Sequence, residues 1–348
     1  MPADLDRLAP PKEGLHGPYR LARDASARLH GDDDRWPHRR TVAAGAQQTQ
    51  QRYRVGVVLQ GGPFYAMIDG FRDGLKDLGF EEGRQYLLHI RDVKGDPKAL
   101  LETARALEQE KVDVIYSLST SVTLAVKQAT ASVPIVFYVS TDPVVVGLVK
   151  SYAKPGGRLT GVHSQTTELD SKRLEILKEM FPKLRRVATF YDPGNRAARE
   201  SARSVREAAR QLRIELVERY VASVEELRAG LQALKPGEAD GLSHVADAMV
   251  TSQTRLVVDA ARAKRLPTIS FERSFVTEGG LASYGVSFQA VGRQAAKYVH
   301  RVLLGTSPAE LPIERADRFE LVINLKTAKA LGLTIPPSLL QRADQVIE

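Results

Sequence analysis

The sequence predicts an α/β protein made of two doubly wound parallel-sheet lobes joined by a multi-strand hinge. Three observations carry that expectation. From Tyr53 onward, short β-rich apolar runs alternate with helix-length amphipathic segments, the pattern of βαβ units on a parallel sheet. The series halts at Lys154-Pro155-Gly156-Gly157 and then starts afresh, so the second half repeats the architecture of the first. A chain of 348 residues also suits two lobes of roughly 130 to 150 residues better than one oversized domain.

Taken in order, the first strand covers residues 53–59 and is followed by Gly61-Gly62-Pro63 and a helix over 64–78 that Gly79 ends. Strands are predicted over 86–90, 112–117 and 133–139, separated by helices near 97–110 and 121–131. Residues 159–162 form a strand leading away, which marks the first crossing between lobes. The second series opens with a helix over 169–180 and has strands over 187–191, 214–220, 241–245 and 268–271. Helices near 195–211, 223–234 and 248–264 fill its gaps. After Gly279-Gly280, a strand over 281–286 runs into a long helix over 288–304 stopped by Gly305; packed on the first lobe, it makes another crossing. Leu311-Pro312 then leads to a strand over 319–323 and a closing helix capped by Asn324. This assigns 52–163 plus 287–307 to the first lobe and 164–286 plus 308–348 to the second. Residues 1–51 differ: Pro, Gly, Arg and Asp dominate, Asp32-Asp33-Asp34 stands beside a basic cluster, and without apolar periodicity the segment reads as disordered.

Composition excludes several classes. Hydrophobics at 43% and charge at 26% are those of an ordinary globular protein, and no run approaches the roughly 18 apolar residues a membrane span needs. The net charge of +8 is spread along helices among Glu and Asp and is not interleaved with aromatics, which speaks against nucleic acid as a partner. The absence of cysteine removes disulfides and thiolate chemistry. There is no Gly-x-Ser-x-Gly elbow, no His-Glu-x-x-His helix and no phosphate-binding glycine loop, so no catalytic residues, metal or cofactor are expected.

Two such sheets leave a cleft between facing strand ends, where these folds bind ligands. The leading candidate is the loop Ser117-Leu118-Ser119-Thr120-Ser121: a helix start with hydroxyls at Ser119, Thr120 and Ser121 suits a carboxylate, and hence an amino acid. The plainer role of Ser119 or Ser121 is a helix cap. Gln60, Gly61 and Phe64 follow the first strand, and Thr141 with Asp142 follow another, Asp142 being equally suited to a turn before Pro143. In the second lobe the candidates are Asn195 beside Asp192, then Asp247 and Glu272. An α-ammonium needs a carboxylate partner, although either acid could instead pair with Arg255, Arg262 or Arg273. Ser283 could add a hydroxyl, and Tyr284 could sandwich an apolar ligand body with Phe64, or simply pack in the core.

The chain resembles a known family in Gly279-Gly280-Leu281-Ala282-Ser283-Tyr284-Gly285, in Leu311-Pro312-Ile313-Glu314 and in the long run from Phe319 to Pro337. Lys127-Gln128-Ala129-Thr130, Val133-Pro134-Ile135-Val136-Phe137, Asp142-Pro143 and Lys154-Pro155-Gly156-Gly157 support it. These segments look like the ABC-transporter substrate-binding family that includes TrpX-like proteins. The resemblance implies a type I periplasmic binding protein, monomeric and extracytoplasmic, that hands a small-molecule ligand, in some members an aromatic amino acid, to a permease with an ATPase partner. The front end departs from that pattern: Val42-Ala43-Ala44-Gly45-Ala46-Gln47-Gln48 resembles a signal-cleavage region whose apolar stretch is missing. Residues 1–41 therefore read as a misassigned start. Without an export signal in the chain as written, a cytoplasmic ligand-sensing regulatory module of the same fold is the alternative.

Overall fold

The computed structural model describes residues 52–96, 98–165 and 169–348; the expectations for residues 1–51 lie outside the described residues. In the first lobe β1 (Tyr53–Leu59), β2 (Tyr86–Asp92), β3 (Val114–Leu118), β4 (Ile135–Val139) and β5 (Leu159–His163) alternate with α1 (Tyr65–Asp77), α2 (Ala99–Gln109) and α3 (Thr120–Ala129). β3 and β4 are buried at every position, which is why they read as unbroken apolar runs: helices cover both faces of the sheet. The strands pair in parallel in the order β5-β4-β3-β1-β2, with the two-residue β11 (Glu314–Arg315) added beside β5.

The second sheet contains β6 (Arg186–Tyr191), β7 (Glu215–Tyr220), β8 (Gly241–Ser243), β9 (Thr268–Ser270), β10 (Ala282–Val286), β12 (Phe319–Asn324) and β13 (Gln345–Ile347). Their order is β13-β12-β10-β9-β8-β6-β7. Around them lie α4 (Asp170–Met180), α5 (Arg196–Gln211), α6 (Val224–Ala233), α7 (Ala248–Ser252), α8 (Thr254–Ala263), α9 (Ser274–Thr277), α11 (Leu325–Leu331) and α12 (Pro337–Arg342). β10 and β12 run antiparallel, so this sheet is mixed and not purely parallel.

α10 (Phe288–Leu303) returns to the first lobe and packs on α1. The approach is so close that a Cβ on Gly292 would stand 2.0 Å from the Met67 carbonyl oxygen, so no side chain fits there. Beneath this pair, Phe71 is fully buried and stacks on Tyr116 with ring centroids 5.1 Å apart. Truncating it to Ala would cost roughly 3–5 kcal/mol.

Three local outcomes differ from expectation. The helix foreseen over 248–264 breaks at Gln253, whose ψ of 26° leaves helical geometry, and becomes α7 and α8. β8 ends at Ser243 because the Asp247 amide bonds back to the Val245 carbonyl at 2.8 Å and turns the chain toward the first lobe. Pairing of Glu314 with Val162 keeps the chain on the first sheet through Arg315, so the last crossing follows that residue and not residue 308.

This topology positions the site. In the first sheet the strand order reverses between β1 and β3, and in the second between β6 and β8. Loops leaving the carboxyl ends of such neighbouring strands diverge and open a crevice. The loops concerned carry residues 60–64 and 119–121 in one lobe, and 192–196 and 244–248 in the other.

Candidate functional site

Between the lobes lies a narrow, half-open chamber of about 20 Å³, room for about one water molecule. Its wall on the first lobe is made by Phe64, Ser119, Thr120, Ser121, Tyr138, Ser140 and Phe288; the second lobe adds Asn195, Ala197, Ala246, Asp247, Ala248, Thr251 and Phe271. A wider mouth of about 350 Å³ opens beside it, shares Ser121, Asn195 and Asp247, and reaches Gln60, Asp192 and Arg196.

One side of the chamber is aromatic. Phe64 stacks on Phe288 at 5.5 Å, Tyr138 meets Phe288 edge-on at 5.9 Å, and Phe271 is tilted against Phe288 at 6.4 Å. Phe271 is backed by the buried Arg173 guanidinium, 5.7 Å from its centroid. Arg173 is itself held by Asp170 at 2.6 Å and donates to the Tyr284 carbonyl at 2.7 Å. Burial pushes the Asp170 carboxyl up to about 6, against the pull of Arg173 and the Ser201 hydroxyl.

The opposite side is polar and is organised by helix starts. Ser119 caps α3, its hydroxyl accepting from the Val122 amide at 3.3 Å. Its backbone stands at φ 111° and ψ 162°, a region that costs a non-glycine residue about 1–3 kcal/mol. The strain is held in place by Thr123, which donates to the Ser119 carbonyl at 2.7 Å and shares a 2.9 Å hydrogen bond with Ser117. The Thr120 hydroxyl shares hydrogen bonds with Thr141 at 3.1 Å and Ser140 at 3.4 Å and accepts from the Ser140 amide at 3.2 Å. Hydroxyls at the positive end of α3 therefore line the chamber.

Across from them, Asp247 is fully buried and caps α7. Its Oδ1 accepts from the amides of Met249 and Val250 at 2.9 and 3.1 Å, and Oδ2 accepts from the Asp192 amide at 2.9 Å. Burial pushes this carboxyl up to about 6, although the amides favour the ionised form. Behind it, the His244 ring bridges Ser270 at 3.1 Å and Thr251 at 3.2 Å, and burial drives its pKa down to about 3. His244 is a neutral spacer at physiological pH.

Of the residues singled out by sequence, Phe64, Ser119, Thr120, Ser121, Asn195 and Asp247 meet in the chamber wall, and Gln60 lies in the mouth. Gln60 donates to the Ser121 hydroxyl at 3.2 Å. Gly61 and Thr141 lie outside both walls; Thr141 braces Thr120 from behind. Asp142 takes the turn role: its carboxylate accepts from the amides of Val144 and Val145 at 2.8 and 3.1 Å. Those bonds, with one from Tyr152, outweigh burial and hold its pKa below the usual carboxylate value. Glu272 points away and caps α9, accepting from the amide and hydroxyl of Ser274 and from the Phe275 amide. Neither Arg255, Arg262 nor Arg273 bonds to Asp247 or Glu272 among the described residues; Arg262 pairs with Asp259. Ser283 is buried in β10, and Tyr284 packs into the core of the second lobe. Sequence reasoning missed Tyr138, Ser140, Ala197, Ala246, Ala248, Thr251, Phe271 and Phe288, each within a few residues of a strand end that it did identify. Among the described residues no cluster of His, Asp or Glu could hold a metal, and no helix is long and apolar enough to cross a membrane.

A family model described as ABC transporter substrate binding protein matches residues 53–347. The chain is 30% identical over 264 residues to a tyrosine-binding protein of Clostridioides difficile strain R20291, covering 76% of each. Its fold is similar to that of a conserved domain protein from Vibrio cholerae O1 biovar eltor, with a TM-score of 0.78 and 30% identity over 85% of this chain and 100% of that one. It is also similar to an ABC domain from Streptococcus pneumonia in complex with L-Trp, with a TM-score of 0.77 and 24% identity over 85% and 100% of the two chains.

Proposed function

Because the chain belongs to the ABC transporter substrate-binding protein family, a non-catalytic class of type I periplasmic-binding fold, we propose that it captures an aromatic amino acid for import. The observation that carries this reading is the chamber itself, where Phe64, Phe271, Phe288 and Tyr138 face a hydroxyl-rich helix start and a buried carboxylate. Parting of the lobes widens the chamber, and the ligand ring then packs among the aromatic side chains. Its carboxylate takes the first turn of α3 at Ser119, Thr120 and Ser121, and its ammonium takes the remaining acceptor capacity of Asp247. The two partners of the ligand then lie on opposite lobes, so the ligand bridges them and stabilises the closed arrangement by differential affinity. A membrane permease with its ATPase, working with the protein outside the cytoplasm, receives the ligand from this closed form. The tyrosine-binding relative supports the ligand class.

Calorimetric titration with L-tyrosine, L-tryptophan, L-phenylalanine and L-leucine tests the proposal. Binding is expected for the aromatic amino acids and should collapse for tyramine, which lacks the carboxylate, and for 3-(4-hydroxyphenyl)propionate, which lacks the ammonium. Failure of all three aromatic amino acids to bind would end this assignment of the chamber.

A further inference from the structure

We propose that Arg196 is a latch between the lobes, a positioning residue that sets ligand affinity without touching the ligand. The inference rests on the reading that closure traps the guest. Arg196 is the first residue of α5 on the second lobe, and its Nη2 donates to the Val145 carbonyl of the first lobe at 2.7 Å. It lines the mouth of the cleft and not the inner chamber.

The bond is exposed to solvent, and the backbone on each side of it is tied down. On the receiving side, the Asp142 carboxylate ties down the amides of Val144 and Val145. Lys127 donates to the carbonyls of Gly147 and Leu148 at 2.7 and 3.2 Å, and the Leu148 amide returns to Pro143 at 2.9 Å. The Val145 carbonyl is thus a fixed acceptor. On the donating side, Asn195 caps α5 through the Ala197 amide at 3.1 Å and also lines the chamber, so one helix start carries both the ligand wall and the latch.

A second contact between the lobes sets how far they close. Ser252, at the end of α7, nests against Gly62 and Gly95 of the first lobe. A Cβ on Gly62 would lie 2.8 Å from the Ser252 carbonyl oxygen, and one on Gly95 would lie 2.8 Å from its hydroxyl. A hydrogen bond made only in the closed arrangement shifts the equilibrium toward it, and ligand affinity rises by the same factor while the open form prevails.

Because the chain contains no cysteine, an introduced pair, Gly95→Cys with Ser252→Cys, reports closure, the Cys at residue 95 bearing the strain of a φ of 83°. Oxidation with copper phenanthroline without ligand is expected to slow roughly three- to tenfold when Arg196→Ala is added, the worth of one net hydrogen bond, with Arg196→Lys in between. L-tyrosine should leave the Arg196→Ala protein faster by a similar factor. Equal trapping rates with and without Arg196 overturn the latch. Slower trapping with no L-tyrosine binding keeps the latch and removes the ligand assignment. Equal trapping with normal L-tyrosine binding does the reverse.

Discussion

Replacing Asp247 by Asn separates its two roles, helix cap and ligand partner, because the roles respond differently to pH. The Asn carbonyl can keep the Met249 and Val250 amides, but its NH₂ then faces the Asp192 amide, donor against donor. Leaving that amide unpaired in a buried site costs about 1–3 kcal/mol. Against this stands the charge that Asn does not carry. The folded-state value of about 6 lies above the ordinary 3.8, so the acid favours the fold fully at low pH, and that contribution is lost as pH rises through 6. At pH 8 the loss amounts to about 3 kcal/mol, which the neutral Asn avoids. The two effects oppose each other at pH 8, where wild type and Asp247→Asn should differ by less than about 2 kcal/mol. Near pH 3, below the ordinary value of 3.8, only the unpaired amide remains, and the variant should be less stable by about 1–3 kcal/mol. Denaturant unfolding at the two pH values measures this.

For the ligand, losing a charge-assisted hydrogen bond to an ammonium is worth about 1.5–3 kcal/mol, a fall in L-tyrosine affinity of roughly 10- to 150-fold at pH 8. 3-(4-hydroxyphenyl)propionate supplies the internal control, since any weak binding it shows should be indifferent to the substitution. Unchanged L-tyrosine affinity, or an equal fall for both compounds, would refute Asp247 as the ammonium partner and leave it a helix cap.

Glu272→Gln should leave L-tyrosine affinity unchanged, because the side chain faces α9; it should also flatten the stability profile. Wild type loses up to about 3 kcal/mol as pH rises from 4.5 through 7, its folded-state value; identical slopes by thermal unfolding at pH 5 and 8 would contradict this. Ser119→Gly relieves a φ of 111° and gives up a weak cap, so the melting temperature should rise while L-tyrosine binding weakens; a fall in both would place the strain elsewhere. Phe288→Leu removes the ring on which Phe64, Tyr138 and Phe271 converge, so L-tyrosine should lose about tenfold in affinity relative to L-leucine in a thermal-shift series, and an unaltered ratio would exclude an aromatic cage.

How much of this could be read from the chain follows from what a strand pattern encodes. Runs such as Ile135–Val139 are apolar at every position because both faces of a parallel sheet are covered, so their places along the chain were legible. Strand direction was not: alternation reads the same either way, and the antiparallel β10–β12 pairing left no trace in it. β11, two exposed residues long, has too little buried surface to produce a pattern at all.

The site shows the same division. A strand end at a switch point identifies the loop that faces the cleft, and Phe64, Ser119–Ser121, Asn195 and Asp247 followed from it. Which residue of that loop turns inward depends on register, and a shift of one position reverses the answer. Phe271 enters the chamber while its neighbour Glu272 turns back onto α9; Ser140 enters while Thr141 braces from behind. A charge a few residues past a strand end marks a place where the backbone needs an acceptor, and it does not say whose amide will use it. At Asp142 the amides of Val144 and Val145 take it, and the turn they make presents to Arg196 the carbonyl that joins the two lobes. In the proposed latch, an acid first considered for the ligand therefore acts on closure through the Val145 carbonyl and Arg196, with no contact to the guest.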